Sequence, residues 1–180
     1  MKILITLILF FFATTCFGQV DNLDSFHPSL RKVLENLRKD NVDTILTYHY
    51  YCNGCETLGA ELDCEGFIDA GIIWRKNGKT FTKTIFCDQK ESKVEQKNSE
   101  ALEYFIANRI QITTRQPLPN QKFYPPISVH YDAEDFSLFL NEELFKVRLF
   151  KEQKEERIWR KYSWIKPTLM LSELYKKEKK

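Results

Sequence analysis

"FIDAGIIWRKNGKTFTKTIFC", residues 67–87, is the stretch on which the fold turns. Asn77-Gly78 at its centre is the favoured pair for a type I′ turn, where both residues need positive φ. β-Branched and aromatic residues run away from it on both sides, as they do in strands. With those two residues in the turn, the register follows. Trp74 faces Phe81, Ile72 faces Lys83, Ala70 faces Ile85 and Ile68 faces Cys87. Trp74–Phe81 is the kind of aromatic cross-strand pair that stabilises a sheet. In this register Cys87 shares the side of Trp74 and Ile85, and is expected to point toward the core.

Upstream, Thr44–Tyr51 is β-branched and aromatic and reads as another strand. Before it, Asp21–Asp40 carries Leu30, Val33, Leu34 and Leu37 at i, i+3, i+4 and i+7, one face of a helix. Pro28 suits the first turn, with Ser25 or His27 as cap.

Downstream, Ser99–Ile110 reads as a helix with Leu102, Phe105, Ile106 and Ile110 as its stripe. Prolines at 117, 119, 125 and 126 mark a loop. Ile127–Tyr131 is expected to be a strand. Phe136, Leu138 and Leu140 alternate, as do Phe145, Val147 and Leu149, which predicts a second hairpin through Asn141-Glu142-Glu143. Strand is expected to Phe150 and helix after it, with one long helix over 143–161 as the competitor. Pro167 is expected to open a last helix carrying Leu171, Leu174 and Tyr175. Residues 81–91 and 145–155 match at five of eleven positions, each four residues after an Asn. A duplicated hairpin would explain this, and so would chance among Lys- and Glu-rich segments.

The first eighteen residues have the three parts of a secretory signal. Lys2 is the positive part, Ile3–Ala13 is apolar but for Thr6, and small residues precede a cut after Gly18. Lipidation at Cys16 fits less well, because Ala13-Thr14-Thr15 is a poor lipobox. The expected mature chain, 19–180, is one domain by length. Without Lys2, 26 basic residues stand against 25 acidic ones, so no nucleic-acid partner is expected. The mature chain has no second apolar run long enough to span a bilayer.

Export bears directly on the cysteines. Four remain after the signal: Cys52, Cys55, Cys64 and Cys87. An even number in an oxidising compartment favours disulfides. Cys55–Cys64 with Cys52–Cys87 is the preferred pairing, and Cys52–Cys64 with Cys55–Cys87 comes close behind. Two other chemistries compete. Cys52-Asn53-Gly54-Cys55 has the knuckle spacing of a zinc site, which Cys64, Cys87 and His49 could complete, but no second C-x-x-C accompanies it. The same motif could serve a thiol-disulfide oxidoreductase, yet the segment after it is short and broken by Gly59.

Other polar features have plainer readings. His27 is expected to cap a helix or to be exposed, and His49 and His130 to be packed or solvated in strands. Asp132-Ala133-Glu134-Asp135 reads as a solvated turn, since it lacks the spacing and glycine of a calcium loop. Lys176–Lys180 reads as a frayed helix end. There is no glycine-rich phosphate loop, G-x-S-x-G or H-E-x-x-H. The sequence assigns no catalytic, cofactor-binding or metal-binding residue and names no partner. It predicts an exported, disulfide-supported α+β domain in which antiparallel hairpins pack with three or four helices. The expected role is non-enzymatic: binding, interaction or structure at the periplasm, the cell surface or outside.

Overall fold

The computed structural model describes residues 23–53, 67–86, 90–116, 124–128 and 131–179. The strands are β1 Thr44–Asn53, β2 Phe67–Lys76, β3 Lys79–Phe86, β4 Glu95–Gln96, β5 Tyr131–Leu140 and β6 Glu143–Phe150. The helices are α1 Pro28–Lys39, α2 Glu100–Thr113, α3 Lys151–Glu155 and α4 Ile165–Lys179. The strands form one sheet in the order β4-β3-β2-β1-β5-β6, with every pairing antiparallel. The class is α+β.

Two hairpins flank the central strand β1. In the first, Trp74 pairs with Phe81, Ile72 with Lys83 and Ala70 with Ile85. Asn77 and Gly78 have φ of 53° and 72°, the left-handed region that a type I′ turn requires. In the second, Leu140 pairs with Glu143, so the turn is Asn141-Glu142 alone, with Asn141 at φ 55°. The similar segments noted in the sequence both supply hairpin return strands, at 81–86 and 145–150.

Alternation divides the sheet into two faces. One carries Leu46, Tyr48, Ile73, Phe136, Leu138 and Val147 beneath Leu102 and Phe105 of α2 and Leu171 and Tyr175 of α4. A third cluster of Trp159, Tyr162 and Trp164 extends this layer around Leu149. The other face packs Ile45, Ile72, Trp74, Ile85 and Phe139 under Leu30 and Leu34 of α1. His27 caps α1, its Nδ1 accepting from the Ser29 amide at 3.4 Å, and Ser99 caps α2. A helix of twelve residues is about 18 Å long. Strands of ten residues run about 33 Å. One such helix therefore leaves part of its face uncovered.

Several expectations change; the last helix opens at Ile165, two residues before Pro167. Ile110 is 60% exposed rather than part of the stripe, because it lies about 140° around α2 from Phe105 at ~100° per residue. Residues 127 and 128 are irregular, and the strand begins at Tyr131. The acidic run is not a solvated turn but the start of β5, with Ala133 and Glu134 buried. The lysine-rich end is not frayed either. It is helical to Lys179, with Lys176 bonded to Glu134 and Lys179 to Asp69.

Among the described residues no helix is long and apolar enough to cross a membrane. Cys52, next to the last residue of β1, is buried. The signal segment, Cys55, Cys64, Cys87 and His130 lie outside the described residues.

Candidate binding cleft

The uncovered part of the α1 face has a regular construction. β1, β5 and β6 place their side chains there in rows set by the register. Ile45, Phe139 and Leu144 stand side by side, and this apolar row belongs to the α1 core. Two residues farther along, Thr47, Ser137 and Lys146 stand together. Two farther still come His49, Asp135 and Arg148, and then Tyr51, Ala133 and Phe150. Two polar rows thus interrupt an apolar surface.

They line a cleft of about 500 Å3 together with Ser25, Phe26, Arg115 and Phe150. Its floor is unusual for a sheet interior. Thr47 is 1% exposed and Ser137 5%, although burying hydroxyls costs free energy that apolar residues would not. The Thr47 hydroxyl donates to the Ser137 carbonyl at a long 3.5 Å.

The charged residues are held in fixed positions. Arg148 grips Asp135 with two bonds, Nε to Oδ1 and Nη2 to Oδ2, both 2.6 Å, the bidentate geometry that suits guanidinium and carboxylate. Its guanidinium also lies 5.8 Å from the Tyr51 ring centre. Lys146 donates to the Ser25 hydroxyl at 2.7 Å and stands 4.5 Å from the Phe26 ring centre. Arg115 donates to the Arg148 carbonyl at 3.1 Å and lies 5.1 Å from the Trp164 ring centre. His49 meets Tyr51 edge-on at 6.0 Å. Burial lowers its pKa against the opposing pull of Asp135, so it is a neutral imidazole at neutral pH.

A second polar knot lies on the opposite face. Glu134 is 1% exposed and accepts bonds from Lys154 of α3 and from Lys176 and Ser172 of α4. It ties two helices to the sheet and has no part in the cleft. Among the described residues, no three His, Cys, Asp or Glu side chains gather where they could hold a metal ion.

Of the residues singled out in the sequence, His49 and Asp135 come together in the cleft, His27 serves as a cap, and Cys52 lies at the far end of β1. Sequence reasoning missed Thr47, Ser137, Lys146, Arg148 and Arg115. A signal for some of them was present. In β5 the positions between Phe136, Leu138 and Leu140 are Ser137 and Phe139, one polar and one apolar on the same face. A central strand that buries both sides should have been apolar on both.

No family model matches the chain, and neither a curated protein nor a solved structure matches it.

Proposed function

We propose that the chain is an exported, non-enzymatic binding protein that holds a small ligand in the cleft beside α1. The observation that carries this reading is the pair of polar rows, Thr47–Ser137–Lys146 and His49–Asp135–Arg148, set into an apolar sheet face with Thr47 and Ser137 buried at their centre. The fold alone would be better served there by hydrophobic residues. A cleft of about 500 Å3 falls within the ~300–1,000 Å3 of small-molecule sites. Binding is favoured over turnover because both Asp135 oxygens are held by Arg148. The carboxylate therefore serves to place the guanidinium. Export is supported by the Lys2, Ile3–Ala13 and Gly18 pattern.

Disulfide support is part of the same proposal. Cys52 is 4% exposed at the end of the strand that leads into the cysteine-rich stretch, and its candidate partners lie outside the described residues.

A thermal-shift panel of neutral, cationic and anionic small molecules tests the site. At least one class should raise the melting temperature of the wild type. Ser25→Trp at the exposed rim and Ser137→Trp at the floor should both abolish that rise. A rise that persists in folded Ser25→Trp, or none from any class, would contradict the reading.

A further inference from the structure

The chain between α3 and α4 sorts its side chains by chemistry. It runs through a 3-10 turn, Arg157–Lys161, and on into the first turn of α4. Trp159, Tyr162, Trp164 and Ile165 are buried together in one cluster. The residues between them are turned outward: Arg157, Ile158, Arg160, Lys161 and Lys166 are all exposed. From Arg157 to Ser172 there are four cations and no acid, although the whole chain has 27 basic and 25 acidic residues. The acids nearest in sequence, Glu155, Glu156 and Glu173, flank the stretch. The near balance of the chain thus conceals one basic surface.

We propose that this surface docks the protein on an anionic lipid bilayer. Elsewhere on the surface cations are met by acids: Arg31 by Asp24, Arg75 by Glu103 and Lys177 by Glu100. Among the described residues, Arg157, Arg160, Lys161 and Lys166 have no ion-pair partner. Arg160 donates to the Lys154 carbonyl at 2.7 Å, a neutral oxygen that orients the guanidinium and leaves its charge in place. Two apolar side chains stand on the same stretch, Ile158 and Met170, each 43% exposed. Met170 is four residues past Lys166, on the same face of α4. Apolar anchors among cations suit the boundary between headgroups and acyl chains. Lysine and arginine lay their stems along such a boundary and reach the anionic heads. A soluble acidic polymer would answer the charges but leave Ile158 and Met170 in water. The contact is peripheral, because no described helix is long and apolar enough to cross a membrane. It lies on the α2 and α4 side of the sheet, whereas the cleft opens on the α1 side. A docked chain therefore keeps its cleft open to solvent.

The test is flotation of the folded, exported protein with vesicles of phosphatidylglycerol mixed into phosphatidylcholine, and with vesicles of phosphatidylcholine alone. Titration with soluble polyglutamate is run beside it. The protein should float with the mixed vesicles only, and less so as salt rises. Lys161→Gln and Lys166→Gln should each weaken binding about fivefold, the effect of one cation at a charged bilayer surface. Ile158→Ser should weaken it at every salt concentration. The pair Lys32→Gln and Lys39→Gln, exposed on α1, removes the same charge from the other side and should leave binding unchanged. All five substitutions are at exposed positions, and melting temperatures should stay near that of the wild type. Equal loss in the α1 pair, equal binding to phosphatidylcholine alone, or no flotation at all would overturn the proposal. Polyglutamate bound as tightly as the mixed vesicles, with Ile158→Ser indifferent, would overturn it in favour of an acidic soluble partner.

Discussion

Gly71 lies directly beneath the ring of Tyr175: a β-carbon on Gly71 would stand 1.6 Å from the Tyr175 hydroxyl oxygen and 2.8 Å from Cζ. Its partner across the sheet is Tyr48, and the Tyr48 and Tyr175 rings stack at 4.1 Å. Helix α4 therefore docks by laying an aromatic ring where β2 carries no side chain. Gly71→Ala should destabilise the protein by at least ~1–3 kcal/mol, the usual cost of overpacking a core. Combined with Tyr175→Leu, which withdraws the clashing atoms, the same change should cost less than it does alone. Urea unfolding of the four-member cycle measures this, and strictly additive costs would contradict the docking geometry.

The Trp74–Phe81 contact tests the hairpin. The rings stack at 5.7 Å with planes 24° apart, and Trp74 is 7% exposed. Trp74→Ala should cost ~3–5 kcal/mol. A loss below about 0.5 kcal/mol is the mark of a surface site and would rule out a buried ring.

Glu134 makes stability depend on acid. Burial opposes its charge, but bonds from Lys176, Ser172 and Lys154 outweigh burial and hold its pKa below the ordinary value. Its contribution is thus complete above the unfolded glutamate pKa of about 4.3, and fades as pH falls through the lower folded value. Glu134→Gln should cost about 3 kcal/mol at neutral pH, the low end for a broken buried pair, because the side chain of Lys176 is 49% exposed and can reach water. Denaturation of both proteins from neutral pH to about pH 3 should show the gap narrowing. A gap independent of pH would contradict the ion cluster.

For Cys52, Cys55, Cys64 and Cys87, thiol counting on denatured, unreduced, exported protein should give near-zero thiols and no zinc. Reduction should then lower stability by about 2–4 kcal/mol per bridge. Four thiols with one zinc per chain would make the cluster a metal site. A Cys52–Cys55 bridge reducible near thioredoxin-like potentials would make it a redox pair.

What was legible in the sequence was local. Asn77-Gly78 fixed one hairpin register, and the alternation on either side of Asn141 located the other. Pro28 and Ser99 marked helix starts because proline geometry and a hydroxyl cap act within a few residues. What was not legible depended on distant partners. Asp132–Asp135 looks like a solvated turn until Arg148, Lys154 and Lys176 arrive to neutralise it. The Lys176–Lys179 segment looks frayed until Glu134 and Asp69 meet it. The cleft exists because β5 and β6 dock beside β1, so that residues 47, 137 and 146 share one row. No local period encodes that strand order.

The most direct test of the account is an amide chemical-shift titration of the folded chain with the neutral, cationic and anionic molecules of the thermal-shift panel. Saturating shifts centred on Thr47, His49, Ser137 and Arg148 are predicted. Saturating shifts centred elsewhere, such as the chain beyond Asn53, or no saturating shift at all, would contradict the claim that this cleft is the binding site.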